Sequence, residues 1–272
     1  LGGIKMKKDN IDFGKEFDWG KASKDYAKYR DIYPDEFYNK IIGLGYCKEN
    51  QKVLDLATGT GVLPRNMYKF GAKWIGVDIA ENQIKYAKLL SKDFDINYIV
   101  SPVENLEFEE NSFDVVTACQ CFMYFDKNIL IPKIHKWLKP NGHFLIMFMD
   151  WLPYESEIAY KSEELVLKYN PSWSGKGSTR YEIKTPDWLG NMFTVSNKTA
   201  FDIDVNFTRD TWHGRIKACR GIGTGALSEK EISKWEIEHK AMLSQYPEKF
   251  TIPHYAAILD LKNLEKVKKN HK

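Results

Sequence analysis

The chain has 272 residues, 43% of them hydrophobic, with 40 basic and 37 acidic side chains and a net charge of +3. That is enough apolar material for one large α/β domain, or for one domain with an insertion. The charge balance argues against a nucleic-acid partner, and no apolar run approaches the ~20 residues of a membrane span.

Cys47, Cys119, Cys121 and Cys219 form no Cys-x-x-Cys pair. They read as reduced thiols of a cytoplasmic protein, and no metal site is expected. Residues 1–10 read as a flexible N-terminus, and residues 1–5 as an appended scar before a native Met6. Residues 11–50 are aromatic and basic, and Pro34 opens a helix reaching about Leu44.

The stretch Lys52-Val-Leu-Asp-Leu-Ala-Thr-Gly-Thr-Gly61 reads as a buried strand running into a glycine turn. A helix over Val62–Phe70 follows, then a second strand, Lys73-Trp-Ile-Gly-Val-Asp78. This is one βαβ nucleotide-binding unit. Gly59 and Gly61 let a ligand approach the backbone, and Asp78 can accept hydrogen bonds from two ribose hydroxyls. A dinucleotide fingerprint needs a third glycine, but Pro64 holds that position. No Gly-Lys-Ser/Thr follows, so a phosphate-binding P-loop is excluded.

Asp55-Leu-Ala-Thr-Gly-Thr-Gly61 together with Asp78 resembles the first two motifs of the class I S-adenosylmethionine-dependent methyltransferases. Ala57 replaces their first glycine. The lead-in Tyr26-x-x-Tyr29-Arg30-x-x-Tyr33-Pro34 is similar to that of the bacterial small-molecule enzymes related to the ubiquinone/menaquinone and trans-aconitate methyltransferases, although Asp31 stands where they carry proline. The resemblance spans about residues 17–261 and is weak in the substrate half. It implies an S-adenosylmethionine cofactor and an S-adenosylhomocysteine product. Residues 11–50 would form a helical lid from which Tyr26 and Arg30 reach the cofactor carboxylate. Asp55, Ala57, Thr58, Gly59, Gly61, Asp78 and Ile79 would complete that side of a SAM-binding core over 51–149.

A helix over Glu81–Leu90 and a third strand over Ile96–Val100 come next. Pro102 stands where many relatives place an acid on the adenine amine, which leaves Val103 and Glu104 as the nearest candidates. Ser112 to Asp126 holds the fourth strand and its exit loop, at the carboxyl end where ligands collect in such sheets. By the resemblance, Cys119 and Gln120 join the cofactor set, Gln120 is the polar group nearest the methyl and a candidate catalytic residue, and Tyr124 faces the substrate. Asn/Asp-Pro-Pro-Tyr is absent there, which argues against a nucleobase or glutamine-amide acceptor. Met123 replaces a frequent histidine.

A helix over Ile129–Leu138 and the turn Lys139-Pro-Asn-Gly142 lead into a fifth strand, His143–Met149. Residues 150–200 read as an inserted substrate cap with a helix over Glu155–Lys168. Trp151, Tyr154 and Arg180 are its candidate substrate contacts. Residues 201–261 complete the sheet: a strand over Phe201–Phe207, a helix over Thr208–Arg220, a helix opened by the capping box Ser228-x-x-Glu231, and a last strand over Phe250–Leu261. In the first of these helices His213 is the candidate base, and Trp212 and Arg215 are candidate substrate contacts. Arg180 or Arg215 would suit a carboxylate or a phosphate. His239 and His254 read as structural. Gly221-Ile-Gly-Thr-Gly225 follows a helix and reads as a turn. Residues 262–272 form a basic tail.

The implied fold is α/β, a Rossmann-like seven-stranded sheet in the order 3-2-1-4-5-7-6 with strand seven antiparallel and helices on both faces. The implied function is methyl transfer by in-line displacement to an O, N or S atom of a small-molecule acceptor. A macromolecular acceptor (tRNA or protein) and a non-catalytic SAM-binding module are the competing readings. Neither the acceptor nor the oligomeric state is written in these motifs.

Overall fold

The computed structural model describes residues 5–265, so residues 1–4 of the scar read at 1–5 and residues 266–272 of the tail read at 262–272 lie outside the described residues, while Lys262 and Asn263 belong to the last strand and not to a tail. The elements in chain order are α1 (Ser23–Tyr29), α2 (Asp35–Gly43), β1 (Lys52–Leu56), α3 (Val62–Met67), β2 (Lys73–Asp78), α4 (Glu81–Leu90), β3 (Ile96–Val100), β4 (Phe113–Cys119), α5 (Lys127–Trp137), β5 (Leu138–Trp151), α6 (Glu157–Tyr169), β6 (Phe193–Thr208), α7 (Arg209–Lys217), α8 (Glu229–Leu243) and β7 (Lys249–Asn263). The sheet runs β3-β2-β1-β4-β5-β7-β6, as expected. Strands β3 to β5 pair in parallel, and β7 runs antiparallel between β5 and β6.

Side chains alternate across this sheet and build two cores. Val53, Val115, Leu145 and Met147 point to one face, where they meet α2, α3, α6, α7 and α8. Leu54, Val116, Phe144 and Ile146 point to the other and meet α5. The period-two alternation of a strand forces this division, and both faces are apolar because both are covered by helices. Helix α4 packs on β3 through Ile84, Ala87 and Tyr98.

The chain lays β1, β2 and β3 outward in one direction, then crosses back to place β4 on the other side of β1. That reversal opens a crevice beyond the carboxyl ends of β1 and β4, where α/β sheets hold ligands.

Strand β5 runs Leu138–Trp151 where His143–Met149 was expected, α7 stops at Lys217, not Arg220, and two further boundaries bear on the domain reading. Strand β6 begins at Phe193, not Phe201, so residues 193–200 belong to the sheet rather than to a cap. They are polar and mostly exposed because β6 lies at the sheet edge, and an edge strand carries little apolar alternation. At the other end, Met6 and Phe17 exchange both backbone hydrogen bonds, at 2.8 and 3.0 Å, and Ile11 and Asp12 are buried. The ordered N-terminal segment thus begins within the stretch read as flexible.

Candidate functional site

A cavity of about 400 Å³ occupies the crevice. Its floor is the loop after β1. Asp55 is buried beneath that loop and accepts the hydroxyls of Thr58 at 2.6 Å and Thr117 at 2.7 Å. Burial pushes its carboxyl up to about 6 against those two hydrogen bonds. Asp55 and Thr58 therefore shape the loop from below, and neither lines the cavity. Ala57 does, and it holds φ 47, the left-handed conformation that the replaced glycine would take without strain. Gly61 caps α3 at φ 72, with the Tyr98 hydroxyl where a Cβ would stand. It sits behind the wall.

Asp78 ends β2 at the cavity edge. Its two carboxylate oxygens accept the backbone N–H of Gly59 at 2.9 Å and of Ala80 at 2.8 Å. Burial outweighs these hydrogen bonds and lifts its carboxyl to about 6. Each oxygen keeps a second lone pair for a ribose hydroxyl. Gln83, one turn into α4, donates to the Trp19 carbonyl, while its own Oε1 is buried without a partner in the cavity wall. Ile79, Val103 and Glu104 line the same side, and Glu104 accepts the Asp126 backbone N–H at 3.1 Å. Tyr26 lies against Gly59, its ring carbon 3.4 Å from where a Cβ would stand, and the Arg30 guanidinium lies 4.8 Å over that ring. Trp19 and Tyr124 bring further aromatic faces.

An orphaned amide oxygen, a ribose-ready carboxylate and aromatic faces able to attract a cation fit the nucleoside and sulfonium of S-adenosylmethionine.

The other end of the cavity is formed where β4 and β5 stop. Cys119 and Gln120 line it, with Gln120 at φ 62 and its side chain donating to the Met149 carbonyl. Trp151, Arg215 and Tyr124 also line it, so these three expected substrate contacts converge there. Asp150 and Arg220 were missed by sequence reasoning. Asp150 had a usable signal, an acid at the carboxyl end of a central strand. Arg220 had none, because its partner Asp12 lies at the far end of the chain.

The remaining expectations are corrected. Trp212 is fully buried and donates to Ser162 Oγ at 2.9 Å, away from the cavity. Tyr154 is 68% exposed and lies on a separate surface depression. Arg180 is an exposed residue pairing with Glu155 and Asp202. His213, the expected base, is buried on the far side of α7, stacked on Trp235 and hydrogen-bonded to His239 at 2.8 Å.

Helix geometry gives the reason. Successive residues turn about 100°, so His213 and Arg215 point to nearly opposite sides of α7, and of the α7 residues only Arg215 lines the cavity. Ser162 Oγ accepts from Trp212 Nε1 and shares a hydrogen bond with His239 Nε2, His239 Nδ1 shares one with His213 Nδ1, and His213 Nε2 faces Glu236 at 3.7 Å. Burial pushes His213 down to about 4. Among the described residues, no group of three His, Cys, Asp or Glu side chains could hold a metal ion, and no helix is long and apolar enough to cross a membrane.

Residues 54–146 match the family model described as methyltransferase domain. A ubiquinone biosynthesis O-methyltransferase of Bartonella quintana is 28% identical over 172 residues, covering 61% of this chain and 68% of that one. A phosphoethanolamine N-methyltransferase of Plasmodium falciparum is 35% identical over 118 residues, covering 41% of this chain and 44% of that protein. Among solved structures, a Bacillus halodurans protein provisionally assigned as a methyltransferase superposes with a TM-score of 0.52 at 16% identity, over 84% of this chain and 98% of its own.

Proposed function

We propose that this chain, a class I S-adenosylmethionine-dependent methyltransferase, moves the methyl to an O, N or S atom of a small-molecule acceptor held beside Gln120, Trp151 and Arg215. The carrying observation is that one cavity joins the Asp78–Gly59 edge to the ends of β4 and β5. Both relatives named above are methyltransferases of different acceptor atoms, which leaves the atom open.

In this reading Asp78 and Gln83 hold the ribose side, Val103 and Glu104 the adenine, and Tyr26 and Arg30 the carboxylate of the methionine part. Bound there, S-adenosylmethionine supplies an electrophilic methyl on a sulfonium. The residues at the other end hold the acceptor in line with it and exclude water. Asp150 takes the proton-accepting role first given to His213. Its carboxyl is raised by burial and lowered by Arg215, Arg30 and Gln120 nearby. The near-neutral charge supports a small acceptor over a nucleic acid, and four unpaired cysteines support a cytoplasmic setting.

The test is calorimetry with S-adenosylhomocysteine, then tritium transfer from labelled S-adenosylmethionine to a metabolite extract fractionated by size. Binding with label in the small-molecule fraction is expected, reduced by Asp150→Asn. Label appearing only in macromolecules would overturn the acceptor class. Heat without transfer would favour a non-catalytic module.

A pH dependence follows from Asp78. Its ionised form accepts both ribose hydroxyls, so a proton must leave below about 6 before the cofactor can bind. Affinity for S-adenosylhomocysteine should weaken about tenfold between roughly pH 7 and pH 5. His213 and His254 are pushed down to about 4 and stay largely neutral across that window, whereas Asp55 beneath the loop is also raised to about 6, so the part of the profile that Asp78→Asn removes is the part owed to Asp78. A flat calorimetric profile would remove Asp78 as the linked group.

A further inference from the structure

We propose that the methyl acceptor carries an anionic group, a carboxylate or a phosphate, that seats on the Arg215 guanidinium at the β5 end of the cavity. This rests on the methyltransferase reading and specifies its acceptor.

Arg215 is only 4% exposed, and its Nε and Nη1 have no hydrogen-bond partner. A buried guanidinium left unpaired is costly, because the charge has lost its water and gained no acceptor. It is also held in place. Its guanidinium lies 4.8 Å over the Trp151 ring, and α7 is pinned beneath it by the fully buried Trp212 and Ile216. The group is aimed into the cavity, and its planar fork matches an oxyanion pair.

Among the described residues no hydrogen-bond partner closes the Arg215 Nε and Nη1 fork. Burial first, and then the like charge of Arg30, push Arg215 down to about 9. Asp150 is within electrostatic reach of both arginines without filling that fork. Arg30 lies over Tyr26 against the glycine loop and so faces the cofactor's carboxylate, while Arg215 lies beyond it, beside Trp151. The cofactor's carboxylate would thus meet Arg30 and leave the Arg215 fork open to the acceptor. The third arginine of the wall, Arg220, is already satisfied by Asp12, Tyr124 and Ser174. Arg180, the other cation that sequence alone offered, is spent on surface ion pairs.

The experiment uses the full chain saturated with S-adenosylhomocysteine and three matched aromatic probes: benzoate, phenyl phosphate and neutral benzamide. Calorimetry should show one anion binding at least about tenfold tighter than benzamide, and the preferred anion tells carboxylate from phosphate. Arg215→Met should erase that preference, leave S-adenosylhomocysteine affinity within about twofold, and raise the unfolding midpoint of the ligand-free protein by removing an unpaired buried charge. Arg215→Lys should keep part of the preference, having the charge but not the fork.

Equal binding of benzamide, or an undiminished preference in Arg215→Met, overturns the proposal. A loss of about tenfold in S-adenosylhomocysteine affinity in Arg215→Met overturns it too, because Arg215 would then hold the cofactor. Failure of the unaltered protein to bind S-adenosylhomocysteine would instead sink the methyltransferase reading beneath it.

Discussion

Replacing Asp78 with asparagine should weaken S-adenosylhomocysteine binding by at least about 100-fold, because two charge-assisted hydrogen bonds of about 1.5–3 kcal/mol each are lost. The substitution keeps the size of the side chain but removes its charge. It also turns one acceptor atom into a donor facing the N–H of Gly59 or Ala80, both of which now point at carboxylate oxygens. One change therefore removes the ribose acceptor and disturbs the loop that places the nucleoside. Calorimetry on protein with an unaltered circular dichroism spectrum measures it. A loss smaller than about fivefold, worth only about 1 kcal/mol, would take Asp78 out of the cofactor site.

The second large effect is on stability. Trp212→Ala should cost about 3–5 kcal/mol, the range for removing a large buried aromatic side chain. The indole is fully buried, edge-on to Phe207 at 4.9 Å and to Trp151 at 5.7 Å. Its N–H also satisfies Ser162 Oγ, the atom on which the His239–His213 chain is anchored. A fall of roughly 10 °C in the unfolding midpoint is expected by differential scanning fluorimetry, with S-adenosylhomocysteine affinity of the folded protein unchanged. A variant that is as stable as the parent yet fails in turnover would return Trp212 to the acceptor site.

The central strands were legible because each lies between neighbours and under helices on both faces. Their apolar runs and the glycine turn after β1 are therefore local signals. The order of the sheet came with the resemblance that those signals support. Strand β6 was half lost because an edge strand can be polar, as Ser196, Asn197 and Lys198 are.

In the candidate site, residues tied to a strand end were easier to place than residues on α7. Asp78 and Gln120 lie at the cavity because β2 and β4 stop there. His213, Trp212 and Arg215 were all assigned to the pocket from their shared segment, although His213 lies about 200° around the helix from Arg215, and Trp212, on the neighbouring side, is buried beneath Trp151 instead of lining the cavity. The N-terminal wall was invisible for another reason. Met6 and Ile11 reach the cavity through a backbone bridge and an Asp12–Arg220 ion pair spanning most of the chain, and neither leaves a local pattern.

Helix α7 has a glycine in its interior, Gly214, where a Cβ would stand 2.3 Å from the Tyr29 ring. That gap brings α1 directly onto α7, and the two helices carry opposite ends of the cavity. Tyr26 lies on α1 with Arg30 just past its end, while Arg215 lies on α7. A ring seated on a backbone leaves no soft side chain to absorb a shift of either helix. On the proposed reading a tightening of α1 around the cofactor should reach Arg215 through this contact, and any effect of one ligand on the other would be reciprocal. On that reading the two ligands should therefore bind cooperatively, which calorimetry of S-adenosylhomocysteine with and without the anionic probe checks.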